Sequence, residues 1–187
     1  MKKIFHYVGG KEFNGGSNRF ADIYNPATGE AQAKVNLATS TEVDHAVCSS
    51  LKAYQEWSDT PPISRARILF KFKELIEKNS DLLTKIIVSE HGKVYDDAKG
   101  SLTRGLEVVE FSCGIPHLLK GEFTENVGKD VDSWSTRQPL GVCVGITPFN
   151  FPAMVPMWMF PISIACGNTF ILKPSEKDPS CSMMLAE

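Results

Sequence analysis

Residues 139–176 read PLGVCVGITPFNFPAMVPMWMFPISIACGNTFILKPSE, and from Pro139 to Leu172 no residue is charged. Gly141-Val142-Cys143-Val144-Gly145-Ile146 is a short apolar run rich in β-branched residues and bounded by Pro139 and Pro148. That pattern predicts a strand buried on both faces. Thr147 to Phe151 forms a turn, and Pro152 suits the first position of a helix running to Cys166. Gly167-Asn168 stops that helix. Thr169-Phe170-Ile171-Leu172 is a second strand, and Lys173-Pro174-Ser175-Glu176 is the turn after it. Strand, turn, helix, strand and turn make one βαβ unit, with parallel pairing and a right-handed crossover. The fold class is therefore α/β.

Ligands of such sheets bind at the carboxyl ends of the strands. Asn150 and the Lys173/Glu176 pair each follow a strand, so both fall on one edge of the sheet. An acidic residue after the second strand of a βαβ unit commonly holds a ribose hydroxyl, and Lys173 can bind the same sugar or a phosphate. Asn150 offers an amide donor where charge could develop on a substrate oxygen. Two plainer readings stand beside these. Lys173 and Glu176 could be a solvated loop pair, and Asn150 could cap the helix that follows. A transmembrane span is opposed by prolines at 148, 152, 156 and 161, which interrupt a continuous helix.

At these residues the sequence resembles the aldehyde dehydrogenase superfamily. The shared pattern is Pro-aromatic-Asn-aromatic-Pro, then GN, a strand, and KP-x-E. The longer run PLGVCVGITPFNFPAMVPMWMFP and the segment Arg104-Gly105-Leu106-Glu107-Val108-Val109-Glu110 are most similar to its CoA-acylating methylmalonate-semialdehyde group. The resemblance implies a Rossmann-type nucleotide-binding domain that lacks a GxGxxG fingerprint. It also implies that Asn150 is the oxyanion-hole donor and that NAD lies against Ile146, Thr147, Pro148, Phe149, Lys173, Ser175 and Glu176. Arg104 would hold the acid end of the substrate, which a guanidinium fork can do bidentately. The plainer reading of Arg104 is an i,i+3 ion pair with Glu107. In this group a cysteine thiolate attacks the aldehyde, hydride passes to NAD, and coenzyme A takes the acyl group from the thioester. A hydrolytic relative, such as one acting on succinate semialdehyde, and an inactive nucleotide-binding or partner-pairing module are the other readings.

The chain has 187 residues and a net charge of −2. Without a basic excess to neutralise phosphates, nucleic acid is not an expected partner; neither a membrane nor a metal is expected. Cysteines stand at 48, 113, 143, 166 and 181. Their number is odd and no pair has CxxC or zinc-site spacing, so reduced thiols in a cytoplasmic protein are expected. Cys143 and Cys166 lie inside apolar elements, where burial blunts a thiolate.

Working outward, residues 3–37 read as two antiparallel pairs. Phe5–Val8 and Glu12-Phe13 flank Gly9-Gly10, and residues 19–24 and 31–35 flank Asn25-Pro26-Ala27-Thr28-Gly29. Ser40-Thr41 caps a helix to Trp57 with an apolar stripe of Val43, Ala46, Val47, Ser50, Leu51, Tyr54 and Trp57. A second helix spans 62–78, with Arg65, Arg67, Lys71, Lys73 and Lys78 as its solvated face. A third spans 80–90, burying Leu82, Leu83, Ile86 and Ile87. It ends at His91-Gly92, where His91 has a capping rather than a general-base role. A fourth spans 94–113, and Ser180 to Glu187 opens a last helix.

Glu122–Asn126 and Val131–Gln138 alternate as a hairpin. In the family this β-arm adds to another subunit's sheet, which implies a dimer or tetramer. The resemblance divides the chain into residues 1–120, an N-terminal part of the NAD-binding domain; 121–139, the arm; and 140–187, the first βαβ unit. It places the catalytic domain, with its nucleophilic cysteine, beyond residue 187.

Overall fold

Short alternating segments and tight turns open the chain. In the computed structural model, which describes residues 1–187, they form β1 (Lys2–Ile4), β2 (His6–Val8), β3 (Lys11–Phe13), β4 (Phe20–Asn25) and β5 (Glu30–Asn36). The two expected hairpins are present as β2/β3 and β4/β5. β1 was not legible. It is three residues long with two lysines, and it exists because β5 offers it a parallel edge, giving the order β1-β5-β4.

Four helices follow: α1 (Ser40–Trp57), α2 (Pro62–Lys78), α3 (Ser80–His91) and α4 (Tyr95–Cys113), then the single turn α5 (Ile115–Leu118). The cap of α1 is Thr39, one residue before the expected one, because Glu42 closes a capping box with it. The Glu42 carboxylate accepts from Thr39 N at 2.6 Å and Thr39 Oγ1 at 2.8 Å, and from Gly16 N and Ser17 N at 2.6 and 3.1 Å. It thus ties the 14–17 loop to the helix. The Thr39 amide, ahead of the opposing burial, holds its pKa down at about 2. The expected stripe on α1 is only partly covered. Val43 and Leu51 are exposed, whereas Tyr54 and Trp57 reach distant backbone, donating to Pro139 O at 3.2 Å and Ile164 O at 3.1 Å.

Arg65 is the clearest departure in α2. It is not on a solvated face but 4 % exposed, with Nε donating to Ala165 O at 3.0 Å and Nη1 to Thr60 O. A buried guanidinium needs such carbonyl partners to offset its lost hydration. Leu82 of α3 is likewise exposed, while Leu83 and Ile87 enter the core. The expected cap holds: Gly92 sits at φ 84°, and a Cβ there would collide with Pro26.

β6 (Phe123–Gly128) and β7 (Val131–Trp134) form the arm, every strand residue of which is exposed. β8 (Val142–Ile146), α6 (Met154–Ala165), β9 (Thr169–Lys173) and α7 (Ser180–Ala186) complete the chain. β8 and β9 pair in parallel from Val142↔Thr169 to Ile146↔Lys173, as the βαβ reading requires. Two expectations fail here. β8 is not covered on both faces, since Val144 and Ile146 are 60 % and 72 % exposed while Gly145 faces α6 and Phe170. Pro152 is not the first helical residue: α6 starts at Met154 with Ala153 as its cap, and the Val155 N to Phe151 O bond at 3.3 Å closes a turn just ahead of it.

The main core lies between α3, α4 and α6, with Leu83, Ile87, Ala98, Leu102, Val109, Ala153 and Met157 at its centre. Each large aliphatic side chain there contributes about 1.5–3 kcal/mol of burial. Gly105 lets α4 and α6 approach: a Cβ would lie 3.1 Å from Met154 Cα. Asn168 fastens the unit from its far end. Its Oδ1 accepts from Leu140 N at 2.6 Å and Gly141 N at 3.0 Å, and its Nδ2 donates to Ser163 O at 3.2 Å. From the sequence alone, its task is only to stop a helix.

Candidate functional site at the carboxyl edge of β8 and β9

The parallel register puts Ile146 beside Lys173, so both strands end at one edge. Thr147 N donates to Lys173 O at 3.1 Å and continues the ladder one step into the turn. From there the chain splits into two loops, 147–153 and 174–179, that face the same side. Ile146, Pro148, Phe149 and Asn150 are exposed. Thr147 is buried, and its hydroxyl has no partner.

Asn150 is exposed and its side chain makes no hydrogen bond within the chain. The helix-capping alternative is therefore not realised. Lys173 and Glu176 form an exposed pair at 3.5 Å. The backbone amide of Glu176 itself, then Lys173, holds the Glu176 carboxyl below its ordinary range, so it is ionised at neutral pH. A carboxylate and an ammonium side by side suit a vicinal diol, one accepting and one donating. Ser175 points inward instead: it is buried, and its hydroxyl accepts from Lys177 N at 3.1 Å.

Arg104 lies on α4, exposed, next to the residue that packs against Met154 in the first turn of α6. It forms no ion pair with Glu107 or any other carboxylate. Of the thiols, all five are free. Burial raises the pKa of Cys113, Cys166 and Cys181, in the last case strongly, which leaves them protonated and unreactive.

Sequence reasoning missed two features beside the site. The first is a set of contacts on the aromatic residues that flank Asn150. The His91 ring stacks on Phe149 at 6.3 Å, Lys177 Nζ lies 4.4 Å from the Phe149 centroid, and Lys93 Nζ lies 4.1 Å from the Phe151 centroid. His91 therefore neither caps α3 with its side chain nor faces a partner suited to base catalysis. Burial holds its pKa down.

The second is an acidic pair, Asp178 buried in the 174–179 loop and Glu90 half-buried at the end of α3. Asp178 is 2 % exposed and neither of its oxygens has a well-aligned hydrogen bond. Burial, then the charge of Glu90, raises its pKa from 3.8 to about 7. Glu90, also raised by burial, accepts from Ser180 N at 3.0 Å at the start of α7. An acid whose folded pKa lies above its unfolded one binds more protons when folded. Stability is therefore complete below about pH 4, declines as pH rises through about 7, and is flat above. Asp178→Asn removes that penalty. Thermal melts should show the variant more stable than the parent at pH 8, by an amount on the order of a few kcal/mol, and nearly equal to it at pH 4. Parallel curves for the two proteins across this range would exclude a buried, titrating Asp178.

No helix is long and apolar enough to cross a membrane, and no cluster of His, Cys, Asp and Glu is arranged to hold a metal ion. The sequence profile of the aldehyde dehydrogenase family matches residues 13–187. The chain is 51% identical over its whole length to malonate-semialdehyde dehydrogenase of Pseudomonas aeruginosa, of which it covers 37%. It is 46% identical, over 97% of its length, to the human acylating methylmalonate-semialdehyde/malonate-semialdehyde dehydrogenase of mitochondria, of which it covers 34%. A crystal structure described as a methylmalonate-semialdehyde dehydrogenase from Sinorhizobium meliloti 1021, complexed with NAD, matches all of this chain with a TM-score of 0.98 and 52% identity. The enzyme of Oceanimonas doudoroffii matches 99% of it with a TM-score of 0.96 and 49% identity. Both matches cover 38% of the solved chains, so this chain spans just over a third of the length of the relatives it resembles. With its profile, its α/β architecture and its two loops at one sheet edge in agreement, the chain belongs to the aldehyde dehydrogenase family.

Proposed function

We propose that this chain supplies the cofactor-binding and oxyanion side of an NAD-dependent, CoA-acylating dehydrogenase that converts methylmalonate or malonate semialdehyde to propanoyl-CoA or acetyl-CoA. The carrying observation is the placement of the Asn150 amide and the Lys173–Glu176 pair on one edge of the β8–β9 sheet, in a chain about half identical over its full length to relatives named for these semialdehydes. The donor set fits the adenosine ribose of NAD. Glu176 accepts from the ribose hydroxyls, Lys173 donates to them, and the backbone from Ile146 to Phe149 forms the floor. Ser175 acts by folding its hydroxyl onto Lys177 N, which sets the loop that carries Glu176. When bound, NAD accepts the hydride released as the aldehyde is oxidised.

Asn150 donates to the carbonyl oxygen as negative charge gathers on it. The exposed amide has no internal hydrogen bond to give up in doing so. Arg104, free of any carboxylate in the chain, is available to the substrate's acid group. Residues 1–120 and 140–187 together form the nucleotide-binding body, and the exposed β6–β7 arm adds edge-on to a second copy to make a homo-oligomer. The free thiols suit the cytoplasm. Coenzyme A enters as the acyl acceptor.

The test is NAD binding to the full-length enzyme by calorimetry. Glu176→Ala removes a charged acceptor, so affinity should fall about tenfold to a hundredfold. An unchanged Kd would show that Glu176 belongs to the solvent and not to the ribose.

A further inference from the structure

Asn150 sits in a turn with no side-chain hydrogen bond of its own, yet an oxyanion donor must be held within a fraction of an ångström of its working position. Something other than hydrogen bonding has to hold it. The two residues on either side are aromatic, and each meets the segment that ends α3. Lys93 Nζ stands 4.1 Å from the Phe151 centroid and 3.1 Å from Asp97 Oδ2. Its side chain is 10% exposed, so the cation lies against the ring out of bulk water, where such contacts are strongest. His91 stacks on one aromatic neighbour, Phe149, at 6.3 Å and 30°, and Lys177 from the loop after β9 also meets that ring. Between His91 and Lys93 lies Gly92, left-handed and pressed against Pro26. That geometry lets residues two apart both reach the turn.

We propose that the His91-Gly92-Lys93 turn is a positioning element for the Asn150 amide, with Lys93 clamping Phe151 and His91 stacking on Phe149. The proposal rests on the reading of Asn150 as oxyanion donor. None of these residues touches the reacting atoms. Each acts through the aromatic ring that it holds. The Lys93–Asp97 ion pair leaves the ammonium free to meet the ring as well, since a lysine has three donors.

The experiment is a double-mutant cycle in the full-length enzyme, joined to hydrogen exchange on the 187-residue chain. Lys93→Met keeps the aliphatic stem and removes the charge. It should lower kcat about tenfold, the scale of one desolvated cation–π contact, and leave the KM for NAD unchanged. Lys93→Arg should restore most of the rate, and Asp97→Asn, which keeps the cation over the ring, should leave it near normal. In an Asn150→Ala background Lys93→Met should cost nothing further, because its route to the chemistry is already gone. Equal losses in both backgrounds, or a normal kcat in Lys93→Met beside a low one in Asn150→Ala, would overturn the proposal and leave the oxyanion reading standing. A normal kcat in Asn150→Ala removes the oxyanion reading itself. The clamp is then judged by exchange alone. The amide of Val155, which donates to Phe151 O at 3.3 Å, should lose protection in Lys93→Met and His91→Ala at an unchanged Tm, and retained protection would end the proposal.

Discussion

Replacing Asn150 with alanine in the full-length enzyme should lower kcat by about 10²–10³, the loss expected when one oxyanion donor is removed. The affinity for NAD should stay as it was, because Lys173 and Glu176 stand at the end of β9 and in the loop after it. The effect falls on kcat because the ground-state aldehyde needs the hydrogen bond far less than the developing oxyanion does. The structure sharpens the control. Were Asn150 a helix cap, its loss would cost about 1 kcal/mol of stability, but the cap of α6 is Ala153 and no side chain closes it. The Asn150→Ala melt should therefore overlay the parent's. Steady-state kinetics and a melt on one preparation check both halves, and a near-normal kcat would remove the assignment.

Arg104→Leu separates substrates. Acidic semialdehydes should lose about tenfold to a hundredfold in kcat/KM, corresponding to one charge-assisted pair of about 1.5–3 kcal/mol. Propanal, which has no acid group, should be turned over as before. The competing structural role, an ion pair with Glu107, is absent from the fold, so no general loss of stability is expected. The mutation also leaves the α4–α6 crossing alone, since that contact belongs to Gly105. Equal losses on propanal and on methylmalonate semialdehyde would mean that Arg104 serves the fold or the cofactor.

The βαβ unit was legible because its signals are local. A β-branched run bounded by prolines, a GN stop and a second apolar run lie within one stretch, and the register Ile146↔Lys173 follows from them. The candidate site was legible for the same reason, since each polar cluster directly follows a strand. What sequence reading got wrong depends on distant partners. β1 is a strand only because β5 lies beside it. Arg65 looked solvated among basic neighbours, and nothing nearby in sequence announces the Ala165 carbonyl that receives it. Thr39 wins the α1 cap over Ser40 because Glu42 also serves Gly16 and Ser17. The outer face of β8 reads as buried from composition alone, because hydrophobicity reports a preference for cover and not its presence.

Arg65 has a consequence in time. Its acceptor lies 100 residues further along the chain, and synthesis adds about 5–20 residues per second. For roughly 5–20 seconds after α2 emerges, the guanidinium has no Ala165 carbonyl to meet and must stay hydrated. The groove that α6 will fill must therefore stay open over the same interval. Closure of α2 onto α6 is then a late, long-range event. Contacts of such long sequence separation are slow to form because the intervening loop must first be closed. A nascent chain stalled before residue 165 would present α2 with its cation outward and the side that meets α6 bare, the form that a chaperone would meet.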